Sequence, residues 1–316
     1  MTNSKEIFMQ KTVVVWLGAL LCCALWGSAF PSIKIGYEMF RIPSDAVSSQ
    51  ILFAGYRFTL AGMLAILIGS IISRRLLIPK KGSWIKIIKL SLLQTVGQYL
   101  FFYIGLAHTT GVKASIIGGV NVFLAILVAS LVFKQEKMTT AKIIGCAVGF
   151  SGVILINLAK SGVDINMSFW GEGFIFLSTV AYAFSSVFIK QFSKDENPIV
   201  LSGYQFLTGG IIMSVSGFLL GGKANNFSIP HTILLLYLAL ISAVAYSLWG
   251  ILLKYNPVSR VAVFGFMNPM FGVLFSGILL DEKQQAFGWN SIAALILVCA
   301  GIYIVNKKNE LPVVLP

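Results

Sequence analysis

The stretches ILFAGYRFTLAG, at residues 51–62, and IVLSGYQFLTGG, at residues 199–210, decide the fold because they are two copies of one pattern. Each carries Gly-Tyr, then one residue, then Phe, and each ends on Gly, with the second copy 148 positions after the first. Further matches follow in the same order at similar shifts. They pair Ile33-Lys34 with Ile189-Lys190, Tyr99 with Tyr246, Asn121 with Asn268, and Gly152 with Gly301. This ordered series indicates that the two halves of the chain are repeats of one another.

The composition excludes a water-soluble protein. Of the 316 residues, 57% are hydrophobic and 11% are charged, and the mean hydropathy is +0.86, whereas a soluble domain carries about 25% charged residues. Long apolar stretches without the alternation of barrel strands predict helices that cross a membrane. The predicted spans cover residues 12–36, 48–73, 84–106, 109–133, 139–159, 171–192, 198–220, 230–254, 257–280 and 287–306. The predicted fold class is therefore all-α, a polytopic membrane protein with ten transmembrane helices.

The number of spans in each repeat fixes the relative orientation of the repeats. Residues 12–159 are predicted to form the first five-helix repeat and residues 171–306 the second, with residues 1–11 and 307–316 as tails. Because five is odd, the second repeat must enter the bilayer upside down relative to the first. Inverted repeats are typical of secondary transporters, which place their substrate site near the midplane, between the repeats.

The basic residues predict which side of the membrane each loop occupies, because short loops rich in Lys and Arg stay in the cytoplasm. With the N-terminus inside, the inner segments hold 17 of the 24 basic residues, the outer segments hold 6, and Arg57 lies within a span. Both termini are therefore predicted to be cytoplasmic, in a plasma or inner membrane. The one clear basic run, at residues 74–89, joins two apolar stretches, so the net charge of +13 does not predict a nucleic-acid partner.

Several motifs resemble those of EamA-type members of the drug/metabolite transporter superfamily over nearly the whole chain. They are Trp26-Gly27-Ser28-Ala29-Phe30 before Ile33-Lys34, Arg57-Phe58, the connection at residues 106–115, and Asn268-Pro269 before Gly272 and Asp281-Glu282-Lys283. The resemblance implies a polytopic carrier of metabolites or amino acids, often an exporter. Two departures from the family pattern are Val122, where the family often has Pro, and Gln205, where it often has Arg.

Aromatic and amide side chains spread over equivalent spans are the candidates for a substrate-binding site. Aromatic rings offer apolar contact and amides offer hydrogen bonds to a solute. The alternative is that the rings face lipid and that the asparagines join helices within the bundle. The candidates are Trp26, Gln98, Tyr99, Asn121, Tyr182, Tyr246, Trp249 and Asn268.

Arg57 is a further candidate because it is the one charged residue deep inside a predicted span. An intramembrane Arg is costly and marks a functional site by default, and its guanidinium suits a substrate carboxylate. Alternatively, Arg57 forms hydrogen bonds with helix carbonyl groups or with the Asn121 side chain within the bundle.

Pro31 and Pro269 lie inside spans, where each is expected to kink its helix. Each kink is either part of a gate or a purely structural bend.

The positions of the acidic residues limit the class of solute that the protein is expected to transport. All 11 Asp and Glu residues stand at the ends of spans or in loops, whereas exchange of a cation for a proton generally needs a carboxylate in the membrane. A neutral or zwitterionic solute is therefore favoured. The predicted function is a secondary transporter that moves an amino acid or similar small metabolite, as an exporter, by alternating access. An importer of a nutrient or nucleoside-like solute is the alternative, and a membrane enzyme or receptor lacks a catalytic cluster or sensing domain.

No cofactor or metal site is predicted, because the four cysteines stand in apolar stretches without metal-ligand spacing. The expected partners are the small-molecule solute and membrane lipid. Gly145, Gly149 and Gly152 in the fifth span, and residues 294–301 in the tenth, form small faces that suit close helix packing or a homodimer.

Overall fold

The computed structural model describes residues 2–43, 45–109, 111–158, 167–224, 227–279 and 289–307, and in these ranges the chain forms helices and no strand. In the first half, the helices are α1 (Thr2–Gln10), α2 (Thr12–Met39), α3 (Val47–Ser73), α4 (Trp84–Leu90, continued by Ser91–Gly97 and Gln98–Ala107), α5 (Gly111–Leu127, continued by Val128–Val132) and α6 (Thr140–Leu158). In the second half, they are α7 (Phe169–Gly173, continued by Phe174–Phe192), α8 (Pro198–Leu219), α9 (Ile229–Tyr255), α10 (Val258–Ala262, continued by Val263–Phe266 and Met267–Leu279) and α11 (Trp289–Asn306).

Helices α2 to α11 correspond to the ten predicted spans, and their ends lie within about three residues of the predicted ones. Within the described residues, eight helices are long and apolar enough to cross a membrane, and α5 and α6 are shorter apolar helices. The N-terminal segment, predicted only as a tail, contains the short helix α1. Most of the predicted C-terminal tail, and the motif at residues 281–283, lie outside the described residues.

Local signals explain where several helices begin and end. The Asn197 side chain accepts a hydrogen bond of 3.0 Å from the backbone N–H of Ile199, and Pro198 fills the first position of α8, where its missing N–H costs nothing. Helix α3 ends at Arg74, which adopts a left-handed conformation with φ 50°. This turn starts the basic loop that leads to α4.

Helices α3 and α8, which carry the two copies of the repeat, pack directly against each other. A Cβ atom on Gly62 would lie 2.4 Å from the backbone N of Leu207, and a Cβ atom on Gly210 would lie 2.3 Å from the backbone N of Thr59. Gly62 and Gly210 are equivalent in the two repeats, and so are Thr59 and Leu207. The two contacts are therefore related to each other by a pseudo-two-fold axis.

Helices α6 and α11 form a second symmetric pair. A Cβ atom on Gly301 would lie 2.6 Å from the backbone O of Gly145 and 2.6 Å from the backbone N of Gly149, and one on Gly152 would lie 2.7 Å from the backbone O of Ala294. The small faces predicted from the sequence thus pack against each other within one chain. The homodimer that was the alternative use of these faces stays a prediction.

The remaining contacts between the halves also occur in matched pairs. Helix α2 packs on α9 and α10, and its equivalent α7 packs on α4 and α5. Likewise α3 packs on α9, and its equivalent α8 packs on α4. This exchange of partners is what a two-fold rotation of one five-helix half onto the other produces. The fold is therefore two inverted five-helix repeats, as the sequence predicted.

The two intrahelical prolines differ in their surroundings, because the α-helix is continuous from Thr12 to Met39 through Pro31, whereas a 3₁₀ segment precedes Pro269. Pro31 lies inside α2. Pro269 lies three positions after the 3₁₀ segment Val263–Phe266, which separates the two α-helical parts of α10. Since proline has no N–H for the carbonyl four residues before it, a tighter segment at that point is expected. A gating role for either proline stays a prediction.

Candidate functional site

A cluster of aromatic rings lies where the two halves meet. The hydroxyl oxygens of Tyr99 and Tyr246 are 3.2 Å apart, and the rings of Phe58 and Phe206 stack with centroids 5.3 Å apart. In each pair the two residues are equivalent in the repeats. Equivalent residues can touch only close to the symmetry axis, so the axis passes through this cluster.

Two tryptophans extend the cluster away from the axis. The ring of Trp26 in α2 lies 5.0 Å from the ring of Tyr246 and 5.0 Å from that of Trp249, both in edge-to-face geometry. Tyr246 is 5% exposed and Trp249 is 4% exposed. Four of the side chains proposed from the sequence, Trp26, Tyr99, Tyr246 and Trp249, are therefore brought together by α2, α4 and α9.

Several polar atoms in and beside this cluster are buried without a described hydrogen-bond partner. They include the indole nitrogens of Trp26 and Trp249, the side-chain oxygen of Gln98, and the side-chain oxygen of Asn268. Buried polar groups are nearly always hydrogen-bonded to protein, water or ligand, and leaving one unpaired costs about 1–3 kcal/mol. The two indole N–H groups of the cluster are therefore unused donors, and the side-chain oxygens of Gln98 and Asn268 are unused acceptors.

Arg57 lies in α3 next to the cluster and is 3% exposed. Its Nε donates to the backbone O of Leu238 at 3.3 Å and to Oγ of Ser242 at 3.1 Å, and its Nη2 donates to Oγ of Ser242 at 2.9 Å. Its guanidinium lies 5.2 Å from the Phe58 ring. Within the described ranges, no Asp or Glu forms an ion pair with Arg57, so its charge adds a positive potential to this region of the bundle.

The two predicted asparagines lie along the crossing of α5 with α10. A Cβ atom on Gly265 would lie 3.8 Å from the side-chain oxygen of Asn121. Asn268 stands one turn before Phe271, and Phe271 packs on Gly27, the residue after Trp26, where an added Cβ would lie 2.4 Å from the Cβ of Phe271. The segment that carries Asn268 therefore adjoins the aromatic cluster, and Asn121 lies near Gly265, three positions before Asn268.

Tyr182 lies near the cluster without stacking on it, because its hydroxyl interacts electrostatically with the hydroxyls of Tyr99 and Tyr246. It lies in α7, and its backbone oxygen accepts hydrogen bonds from the hydroxyls of Ser185 and Ser186. Among the described residues its ring makes no aromatic contact with Trp26, Tyr99, Tyr246 or Trp249. Phe58 and Phe206, in contrast, were not proposed from the sequence, although both belong to the repeated motif that placed them on equivalent helices.

Two carboxylates join the halves at the end of the bundle predicted to face the cytoplasm. Glu136, after α5, accepts from the backbone N of Ser259 at 2.9 Å and from its hydroxyl at 2.5 Å. It also forms an ion pair of 2.9 Å with Lys142. Glu196, before α8, accepts from the backbone N of Lys80 at 2.9 Å. The sequence placed both residues in loops, without indicating that each binds the opposite half.

Electrostatics at this end favour ionised carboxylates. The ammonium of Lys86, 2.6 Å from Asp195, lowers the pKa of that exposed carboxyl. Burial alone would raise the pKa of Glu196, but hydrogen bonds from the backbone N–H groups of Lys80 and Asn197 outweigh it, and the pKa is lowered. Elsewhere in the described chain, no group of three or more His, Cys, Asp or Glu side chains is placed to hold a metal ion.

The fold and the central cluster together define a class: a multi-pass helical membrane protein of two inverted halves that meet at an aromatic and polar site. The model of the EamA-like transporter family matches residues 14–158 and again residues 169–307. The chain belongs to this family, within the drug/metabolite transporter superfamily, which confirms the resemblance seen in the sequence.

Individual relatives support the same assignment. The chain is 27% identical over 303 residues to an uncharacterized transporter of Archaeoglobus fulgidus, covering 93% of this chain and 99% of the relative. It is 24% identical over 300 residues to the uncharacterized inner membrane transporter YedA of Escherichia coli, covering 92% of each chain. A crystal structure with 16% identity superposes with a TM-score of 0.76 over 94% of this chain and 98% of its own, which shows a shared fold.

Proposed function

We propose that the protein is a secondary transporter that exports an amino acid or a similar small metabolite by alternating access between its two halves. The observation that carries the proposal is the placement of Tyr99 and Tyr246 in contact on the pseudo-two-fold axis, with unpartnered polar atoms of Trp26 and Trp249 beside them. A solute held near this axis touches both halves. Either half can then rock against the other while the solute stays bound.

The chemistry of the cluster favours a zwitterionic solute over a cation. Two indole N–H groups can donate to a carboxylate, and the amide oxygens of Gln98 and Asn268 can accept from an ammonium group. The charge of Arg57 adds attraction for a carboxylate and repels a solute with net positive charge. We assign Arg57 to this electrostatic role, with its Nε and Nη2 atoms fastened to α9.

The proposed orientation places both termini, and the Glu136 and Glu196 contacts, on the cytoplasmic side of a cell membrane. The uneven distribution of Lys and Arg between alternate loops supports this orientation. In the geometry described here, both carboxylate contacts hold the halves together at that side. Export requires them to separate so that the solute can enter from the cytoplasm.

The experiment is counterflow of radiolabelled amino acids in proteoliposomes that contain the purified chain. At least one amino acid is expected to exchange well above protein-free liposomes. Trp249→Phe, which removes the indole N–H but keeps a ring, and Asn268→Ala should each lower the exchange rate about 3- to 10-fold, as expected for one lost hydrogen bond. Trp289→Phe is the matched control, since Trp289 is 84% exposed and stands in α11.

The direction of transport is measured in the same vesicles. An N-terminal tag reports how the protein is oriented in the vesicle membrane, and the solute is loaded on one side or the other. Accumulation driven only towards the side opposite the tag supports export. Absence of exchange for every amino acid in the panel would contradict the substrate class. Equal exchange in Trp249→Phe, Asn268→Ala and the native chain would contradict the location of the site.

A further inference from the structure

A buried group of oxygen atoms lies between α4 and α8, apart from the aromatic cluster. The segment Ser91–Gly97 of α4 is π-helical, a widened turn that is rare and frequently occurs at functional sites. Two of its hydroxyl side chains pack on α8 at Gly209, where an added Cβ would lie 2.6 Å from the Cβ of Thr95 and 2.9 Å from Oγ of Ser91. Gln205 stands one turn earlier on the same face of α8.

These side chains are fully buried, and three of their oxygen atoms have no described hydrogen-bond partner. Ser91 is 1% exposed, and Thr95 and Gln205 are 0% exposed. The unpartnered atoms are Ser91 Oγ, Thr95 Oγ1 and Gln205 Oε1. Several hydroxyls in helices of this chain donate to a backbone oxygen of the preceding turn, as those of Ser185 and Thr208 do. Ser91 and Thr95 make no such bond among the described residues, so both the O–H groups and the oxygen lone pairs of these side chains are unused.

Gln94 orients the amide group of Gln205. Its Oε1 accepts a hydrogen bond of 2.5 Å from Nε2 of Gln205, so the Oε1 atom of Gln205 is directed away from Gln94. Gln94 is itself 2% exposed. The interface of α4 with α8 thus contains an unpartnered side-chain carbonyl oxygen and two unpartnered hydroxyls, all in buried residues.

The repeat symmetry indicates what this group of oxygens holds. Gln205 is the equivalent of Arg57, and Ser91 and Thr95 are the equivalents of Leu238 and Ser242. In the other half, the guanidinium of Arg57 binds the backbone oxygen of Leu238 and the hydroxyl of Ser242. One interface therefore contains a fixed cation bound by oxygens, whereas its equivalent contains oxygens and a neutral amide.

We propose that Ser91, Thr95 and Gln205 bind a Na⁺ ion at the position equivalent to the guanidinium of Arg57. Hard cations prefer hydroxyl, amide and backbone oxygens, and interrupted helices supply Na⁺ ligands in secondary transporters. A monovalent ion fits because, within the described residues, no Asp or Glu side chain bonds to this group. Gln94 acts as the positioning residue. This site is separate from the proposed solute site and does not depend on it.

The test measures binding by the full chain in detergent, without any solute. Its thermal midpoint in NaCl is compared with that in KCl and in choline chloride at equal ionic strength. Mass action predicts a rise of about 2 °C for each tenfold increase in Na⁺ above the dissociation constant. Radioactive ²²Na⁺ binding should reach one ion per chain.

Gln205→Arg is the decisive variant, because it supplies the guanidinium that the equivalent interface already contains. It should fold, lose the Na⁺-dependent shift and bind no ²²Na⁺. Ser91→Ala and Thr95→Val should weaken Na⁺ binding at least tenfold. Ser130→Ala is the matched control, since Ser130 is also buried, also lies in a π-helical segment and also has an unpartnered hydroxyl, but belongs to α5 and not to the interface of α4 with α8.

Two results would overturn the proposal. One is a midpoint that is the same in NaCl and choline chloride for the native chain, which indicates that an ordered water molecule satisfies these oxygens. The other is a Na⁺ response that Gln205→Arg and Ser91→Ala leave unchanged, which puts the ion elsewhere. Neither result bears on amino-acid counterflow, so the solute proposal is tested independently.

Discussion

The hydroxyl oxygens of Tyr99 and Tyr246 lie 3.2 Å apart, and the two tyrosines are equivalent residues of the two repeats. A residue that touches its own equivalent marks the symmetry axis. Because this contact joins α4 of one half to α9 of the other, motion of one half against the other must change it. The hydrogen bond therefore stabilises the arrangement of the halves described here relative to one in which they have rotated.

The first prediction concerns this hydrogen bond. Tyr99→Phe and Tyr246→Phe should each lower the stability of the protein by about 1 kcal/mol. The double variant should be no less stable than the less stable of the two single variants, because each of the three variants loses the same single hydrogen bond. Thermal unfolding in detergent at a fixed scan rate measures the three changes. Strictly additive losses would show that the hydroxyls do not interact.

The second prediction concerns the glycines where α3 crosses α8. Gly62→Ala and Gly210→Ala should destabilise the protein by similar amounts, about 1–3 kcal/mol each, because each added Cβ meets the backbone of the opposite helix at 2.3–2.4 Å. Thermal unfolding compares them with Gly118→Ala in α5, where no atom lies within 4 Å of the added Cβ. That control should be neutral or slightly stabilising, since Ala favours helix over Gly. A large effect at one glycine alone would contradict the symmetric crossing.

The sequence predicted the helices and their inverted arrangement because membrane spans are long, continuous apolar stretches and the repeat preserves residue order. Gly55, Gly62, Gly203 and Gly210 were visible in the motif, and they are the residues that let α3 and α8 approach closely. The wider repeat also paired Tyr99 with Tyr246. Their contact did not follow from the pattern, because equivalence does not tell which residues lie on the axis.

Other features were beyond sequence reasoning for definite physical reasons. No residue pattern distinguishes the π-helical segment Ser91–Gly97 from the α-helical parts of the same span, so hydropathy predicts one uninterrupted helix there. Arg57 was recognised as buried, but its partners, Leu238 and Ser242, lie about 180 positions away in the chain. Glu136 and Glu196 read as ordinary loop residues, because polarity alone does not reveal that a carboxylate binds the backbone of the opposite half.

The third prediction is a pH dependence that arises from Glu196. Its pKa is lowered in the folded protein, so its contribution to stability is present above the ordinary glutamate pKa of about 4.3. The contribution is lost as the pH falls through the lowered value. Glu196→Gln should remove about 1–2 kcal/mol of stability at neutral pH, and its thermal midpoint should fall less steeply than that of the native chain between pH 5 and about pH 3.

Asp195→Asn is the control for that experiment. Asp195 is exposed, and its ion pair with Lys86 is accessible to water, so solvent and salt screen the interaction. Its removal should change the midpoint less than Glu196→Gln, and high salt should reduce the difference further. An acid profile of Glu196→Gln that runs parallel to that of the native chain would show that the carboxylate does not anchor residue 80 to the second half.

The fourth prediction concerns the buried ion pair of Glu136 and Lys142, whose side chains are 8% and 5% exposed. Glu136→Gln leaves the Lys142 ammonium without its counter-ion and weakens the contact with Ser259, so stability should fall by about 3 kcal/mol. Adding Lys142→Met should restore part of that loss, because the unpaired charge is then removed. Thermal unfolding of the two single variants and the double variant gives the coupling.

The same pair connects stability to motion, because Glu136 joins α5 of the first half to the start of α10 in the second. If separation at this end admits solute, Glu136→Gln should raise the reactivity of a cysteine introduced at Ser259 towards a membrane-impermeant maleimide applied from the cytoplasmic side. The comparison is made against the same cysteine with Lys137→Gln, an exposed residue whose backbone oxygen, not its side chain, contacts Lys142. Equal reactivity in both backgrounds, together with additive losses of stability, would show that the carboxylate packs locally and does not hold the halves together.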